Sequence, residues 1–152
     1  MGYYTYFWLD PPRPTKNCAL SDKEIAKRLV TGLLATEYWE GNECLKAELE
    51  ALDKLPDADV LARVTDDLNY GGMLSDSIKW YDHEDHMSDI SAAIPDVYFI
   101  LNGDGEDSDD LWRKYFFNGR IYAYYSMIPD QEMSRKVSEE ARKDGVYSGE
   151  DF

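Results

Sequence analysis

Leu111-Trp112-Arg113-Lys114-Tyr115-Phe116-Phe117-Asn118-Gly119-Arg120-Ile121-Tyr122-Ala123-Tyr124-Tyr125-Ser126-Met127 is two aromatic, β-prone runs joined by Asn-Gly. A two-residue hairpin turn that matches strand twist needs positive φ at both central positions, which Asn and Gly adopt most readily. The pair therefore predicts strands over 111–117 and 120–127. In the second of these, Ile121, Ala123, Tyr125 and Met127 share one face, and Tyr122, Tyr124 and Ser126 share the other, which is expected to look outward. Upstream, Val97 to Leu101 is a near-continuous apolar run and reads as a third strand, with the acidic segment after it as a turn into the hairpin.

Nearer the N-terminus, Tyr3 to Leu9 alternates Tyr3, Thr5, Phe7 and Leu9 with Tyr4, Tyr6 and Trp8. Both faces are apolar, which predicts a central strand. Asp10 and the prolines at 11, 12 and 14 stop it, because proline removes a donor and restricts its predecessor. Ser21 followed by Glu24 is a capping box, and Ile25, Leu29, Val30, Leu33 and Leu34 form the stripe of the helix it opens, which Gly41 is expected to end. Two shorter helices follow, one with Leu45, Leu49 and Leu52 inward and one capped by Asp57 with Val60, Leu61, Val64 and Leu68 inward. Gly71-Gly72 breaks the series. Ile78 to Tyr81 reads as a short strand, and Asp82 opens a helix with Met87, Ile90 and Ile94 inward, closed by Pro95.

That order predicts an α+β fold, a mainly antiparallel sheet of four or five strands with helices packed on one face. Residues 1–143 are expected to form a single compact domain, with a helical insertion at about 21–70 and a weak helix from Pro129 to Lys143. Residues 144–152 are expected to fray as an acidic tail.

The chain has 16 basic and 31 acidic residues, a net charge of −15, yet 43 % of its residues are hydrophobic and 14 % aromatic. That apolar content separates it from disordered polyelectrolytes. Its charge disfavours direct nucleic-acid and anionic-membrane partners. Cys18 and Cys44 stand 26 positions apart with no CxxC, which argues against a zinc ribbon or disulfide framework and for buried, reduced thiols. No secretory leader or membrane-length apolar run is found, and Tyr6 stands where a myristoylation signal wants Ser or Thr. A cytoplasmic protein is expected.

Asp82 to Asp110 contains ten carboxylates and no Lys or Arg. Within it, Asp82-His83-Glu84-Asp85-His86 offers metal-ligand residue types. Helical zinc pairs sit at i and i+4, however, while these histidines are at i and i+3 and are the only two in the chain, so capping by Asp82 and dipole complementation by Glu84 and Asp85 is the preferred account. Asp104, Glu106, Ser108 and Asp110 alternate like calcium-loop ligands, but Asp109 and Tyr115 occupy the positions where that loop needs Gly and a bidentate Glu. An acidic turn that keeps a sheet edge soluble is the simpler reading. Carboxylate pairs for glycoside hydrolysis are uninformative when acids are this abundant, and neither cysteine nor any serine carries a nucleophile signature. No catalytic residue, bound metal or cofactor is assigned, and the chain reads as a non-enzyme. Among the tryptophans, Trp80 and Trp112 are expected in the core, whereas Trp39, beside Glu37, Tyr38 and Glu40, reads as a surface aromatic rimmed by acids and suited to docking Arg or Lys.

Two blocks carry a resemblance: Lys79-Trp80-Tyr81-Asp82-His83-Glu84-Asp85-His86-Met87, and Gly103-Asp104-Gly105-Glu106 running to Asp110-Leu111-Trp112-Arg113-Lys114-Tyr115-Phe116 and Asn118-Gly119. With Met1-Gly2-Tyr3-Tyr4-Thr5, they resemble a family of small phage, prophage and bacterial proteins with a KWYDHE block and a GEGE-type turn before a W-x-x-YF hairpin. The likeness covers about a third of the chain. His86 stands where that family more usually has an acid, Asp104 replaces a Glu, and the region from Pro11 to Gly72 departs most. The resemblance implies a compact α+β fold and residence on mobile elements, with no activity to carry over.

Together these features predict a phage-type binding protein that offers carboxylates to a basic host protein, such as a nucleic-acid-processing defence enzyme, and inhibits it as a nucleic-acid mimic of the anti-CRISPR or anti-restriction kind. The expected partner-binding residues are Asp104, Glu106, Asp107, Asp109 and Asp110 in the turn, with Glu37, Trp39 and Glu40 as a second patch. One alternative is a metal-binding module or metal-dependent hydrolase using His83, His86 and nearby carboxylates. Another is a structural or regulatory phage protein with no inhibitory role, and an exposed Tyr face leaves a homodimer open.

Overall fold

The computed structural model describes residues 4–71, 74, 78–105 and 111–125. The expected helix at 129–143, the tail at 144–152 and four of the five turn carboxylates, Glu106, Asp107, Asp109 and Asp110, lie outside the described residues. The architecture is α+β, with strands β1 (Thr5–Leu9), β2 (Arg13–Pro14), β3 (Val97–Gly105), β4 (Leu111–Phe117) and β5 (Arg120–Tyr125). Among the described residues four helices accompany them: α1 (Asp22–Leu34), α2 (Glu43–Leu52), α3 (Val60–Asp66), which runs into a π turn at Asp67–Gly71, and α4 (His83–Ala93).

Among the described residues all the strand pairings are antiparallel, in the order β1-β3-β4-β5, with β2 also on β3. The strand at 5–9 is thus at an edge, not central as expected, and β3 takes the middle. Its two faces differ accordingly: Thr5, Phe7 and Leu9 are buried, while Tyr4, Tyr6 and Trp8 stay about half exposed. Along β3, Leu9 faces Leu101 but Arg13 faces Tyr98, so the strand course carries one extra residue between the two pairings. Asp10-Pro11-Pro12 is that bulge, which is where a sheet edge tolerates proline. The expected strand at Ile78 to Tyr81 reduces to one bridge, Ile78 with Thr5.

The hairpin turn forms as its residues dictate, with φ of 48° at Asn118 and 83° at Gly119. Helix α4 secures it: Ser88 Oγ donates to the Gly119 carbonyl at 2.7 Å, and the Gly119 N–H donates to Ser91 Oγ at 2.9 Å. The expected outward Tyr face is not open at Tyr122, which is buried against Ile100 and Tyr115, whereas Ile121 is partly exposed. Gly103 has a steric role, because a Cβ there would stand 2.1 Å from the Trp112 ring on the neighbouring strand.

Ser21 caps α1, accepting from the Glu24 N–H at 3.2 Å. The helix ends at Leu34, earlier than Gly41, and Thr36 to Gly41 continue as turns. It buries Ile25, Ala26, Leu29, Val30 and Leu33, and each large apolar side chain so buried stabilises by about 1.5–3 kcal/mol. Asp57 does not cap α3 as expected. Its carboxylate accepts instead from the Lys23 N–H in the first turn of α1 at 3.0 Å, satisfying an orphan donor there, while Asp59 holds the α3 cap position in a left-handed conformation with no side-chain bond. The core joins all four helices to Phe7, Leu9, Val97, Phe99, Leu101, Trp112 and Phe116. Cys44 is exposed and Cys18 half-buried, so the expectation of two buried thiols fails.

Beyond the last β1 residue, the Asn69 side chain in the π turn stands in for a neighbouring strand. Its Oδ1 accepts from the Leu9 N–H at 2.9 Å and its Nδ2 donates to the Leu9 carbonyl at 2.8 Å. One amide thereby satisfies both polar groups of an edge residue.

Candidate functional site

Helices α1 and α4 lie close because Gly32 has no side chain; a Cβ there would come within 2.7 Å of Ile90 Cγ1. That contact forms part of the wall of a groove of about 570 Å³ between the two helices. Asp82, Asp85 and Asp89 line it at i, i+3 and i+7, one face of α4, and Glu37 closes the α1 end. Among the described lining residues Arg28 is the one cation, with Nε donating to Glu24 at 3.0 Å and Nη1 donating at 3.2 Å to the carbonyl of Ala93, which also lines the groove. Among the described residues no ion pair neutralises Glu37, Asp82, Asp85 or Asp89.

Asp82 occupies the cap position of α4 without capping. At φ −90° and ψ 20° its backbone is not in the extended conformation that turns a side chain back onto the first-turn N–H groups, which corrects the expected capping role and leaves the carboxylate facing the groove. Glu84 and Asp85 do sit in the first turn, where they complement the positive end of the helix dipole.

The two histidines are tied into the core side of the same helix. Trp80 Nε1 donates to His86 Nδ1 at 2.8 Å, and since an indole N–H can only donate, neutral His86 carries its proton on Nε2. His83 Nδ1 meets the Trp80 carbonyl at 2.8 Å, and its Nε2 stands 2.6 Å from Lys114 Nζ. An ammonium has no lone pair, so His83 accepts at Nε2 and donates from Nδ1. Burial, followed by the Lys114 charge, lowers the His83 pKa to about 4. Both histidines therefore spend a ring lone pair inside the protein. A metal ion at either would have to displace a hydrogen bond, and among the described residues no group of three or more His, Cys, Asp or Glu is placed to hold one.

Lys114 itself is buried, at 2 % exposure, with Nζ 3.5 Å from Glu84 Oε1 and 4.1 Å from the Trp112 ring centroid. Glu84 thus pairs inward while its neighbours Asp82 and Asp85 face the groove. Nothing in the local sequence marks Lys114 as buried; its position on the inward face of β4, opposite Leu101, is the only signal.

The expected second patch is broken up. Trp39 is buried at 5 % exposure with its ring edge-on to Trp80 at 5.5 Å, so it is a core residue and not a surface aromatic. The turn at Thr36 to Gly41 drives it inward, and Tyr38 and Glu40 are exposed on either side. Only Glu37 of that patch reaches the groove. Asp104 is exposed on β3 opposite Tyr6, on the sheet face away from the helices. Asp82, Asp85 and Asp89 had a readable signal, their helical spacing. Their meeting with Glu37 had none, because it depends on how α1 crosses α4.

Compared with known proteins, the chain matches no family model, no curated protein and no solved structure. Among the described residues no helix is long and apolar enough to cross a membrane.

Proposed function

We propose that this is a small binding protein of mobile-element origin that acts in the cytoplasm, not as an enzyme, by presenting carboxylates to a basic, nucleic-acid-binding surface of a host defence protein and inhibiting it by occupation. The observation that carries the reading is the groove between α1 and α4, which Glu37, Asp82, Asp85 and Asp89 line against a single cation, Arg28, and where among the described residues none of the four acids is in an ion pair. Three carboxylates on and at the start of α4 and one in the turn after α1 concentrate negative potential on one surface, which speeds encounter with a basic partner and selects against acidic ones. The turn from Asp104 through Glu106, Asp107, Asp109 and Asp110 enters the same proposal on composition alone. The mobile-element setting rests on the resemblance of the two sequence blocks.

The test is capture from a bacterial host lysate at low and moderate salt, with wild-type protein and a Glu37→Gln/Asp82→Asn/Asp85→Asn/Asp89→Asn variant side by side. A partner held by wild type, weakened by salt, lost by the variant and released by added nucleic acid supports the reading. A partner that the variant holds equally well removes the groove from the contact. A partner that nucleic acid does not displace removes the mimicry.

A further inference from the structure

Four contacts show that α1 and the turn after it run against the stretch from Lys79 through α4. Arg28 Nη1 donates to the Ala93 carbonyl at 3.2 Å, Gly32 stands against Ile90, the Lys79 N–H donates to Tyr38 Oη at 3.3 Å, and the Trp39 ring meets Trp80. The groove between them is therefore polarised, with Arg28 and Ala93 at one end and Glu37, Asp82, Asp85 and His86 at the other. Those ends are roughly 16 Å apart along the helix, about two screening lengths at physiological salt, so Arg28 leaves the acidic end unneutralised. The carboxylates there come from two walls of the groove, and beside them His86 adds a donor. Its Nδ1 is taken by the Trp80 indole, so the neutral ring offers Nε2–H, and among the described residues none accepts it.

A bare cation would meet the carboxylates and leave the imidazole N–H idle. An arginine residue within a chain answers both, because its planar guanidinium carries donors that reach carboxylates on two walls and its main-chain carbonyl is an acceptor. We propose that the acidic end of the groove is a socket for one arginine of the basic partner, with the guanidinium between Glu37, Asp82 and Asp85, the methylene stem on Ala35 and Ile90, and the arginine carbonyl accepting from His86 Nε2. The socket presupposes that the groove is the partner-binding surface, and it narrows the contact from basic surfaces in general to arginine. Lysine is the weaker fit, since its ammonium is a compact point charge that cannot bridge both walls with a planar fork.

The test titrates the isotope-labelled whole protein, at low salt and at a pH where imidazole is neutral, with the acetylated and amidated tripeptide glycyl-arginyl-glycine, its lysine counterpart, and n-butylguanidinium. Backbone amides and the His86 Nε2–H are followed by NMR. The arginine peptide should shift the amides of both groove walls together with the His86 Nε2–H. The lysine peptide should bind at least about threefold more weakly, and butylguanidinium, which has the head and stem but no carbonyl, about two- to tenfold more weakly. Glu37→Gln and Asp82→Asn, both at exposed positions, should each weaken the arginine peptide. Equal affinity for arginine and lysine peptides, or a His86 Nε2–H that does not move, overturns the socket. Capture of a host partner through the four carboxylates with no arginine preference removes the socket alone, whereas arginine-peptide binding with no host partner captured removes the inhibitor alone.

Discussion

Trp80 and His86 are joined by a hydrogen bond of 2.8 Å in which the indole is the donor, and this one contact fixes the imidazole tautomer six residues away. The ring then presents an N–H, not a lone pair, on its other side. Trp80→Phe removes the donor and leaves a small gap in the core, at an expected cost of about 2 kcal/mol. Nitrogen-15 NMR of the histidines should show one Nε2-H tautomer for His86 in wild type and a mixture in the variant. An unchanged His86 spectrum would mean that the indole does not set it.

His83 makes the fold acid-sensitive. Its pKa is depressed in the folded state, from 6.5 to about 4, so the folded protein binds fewer protons than the unfolded chain between those values. The contribution is fully present above pH 6.5 and is lost as pH falls toward 4, reaching about 3 kcal/mol. Urea denaturation across pH 4–7 should show this slope, and His83→Gln should flatten it. Equal slopes in the two proteins would assign the acid sensitivity to other groups.

Gly103 and Trp112 pack face to face across β3 and β4. Gly103→Ala places a methyl inside the indole, and neither the ring nor the central strand has room to give, so the variant should lose at least about 2–3 kcal/mol. The denaturation midpoint measures this. A midpoint within error of wild type would mean that Trp112 is free to swing aside.

Ser91 serves the hairpin from the helix. Its hydroxyl accepts from Gly119 and donates to the Ser88 carbonyl, so Ser91→Ala leaves a part-buried N–H without a partner at a cost of about 1–2 kcal/mol. Faster amide exchange at Gly119, confined to the turn, is the accompanying sign.

Local chemistry is what the sequence displays. The Asn118-Gly119 turn, the Ser21 cap and the inward stripes of α1, α2 and α4 depend on neighbours within a turn or two of chain and form as read, although Glu24 pairs with Arg28 and does not close the capping box. Trp39, β1 and Asp57 depart from what their local sequence predicts for a common reason: partners distant in sequence decide them. Trp39 is claimed by Trp80, β1 is left at the edge because β3 pairs with β4 on its other side, and Asp57 is drawn to Lys23. The groove is half legible, since Asp82, Asp85 and Asp89 share a helix face by spacing while Glu37 joins them through the packing of α1 against α4.

The amide of Asn69 has one more effect. An edge strand rich in aromatics is a template on which further chains can stack by backbone pairing. At Leu9 the template is already occupied by a side chain that has no continuing backbone to offer, and at Thr5 by the single bridge from Ile78. Both ends of β1 are thereby terminated against backbone pairing with another chain along this edge.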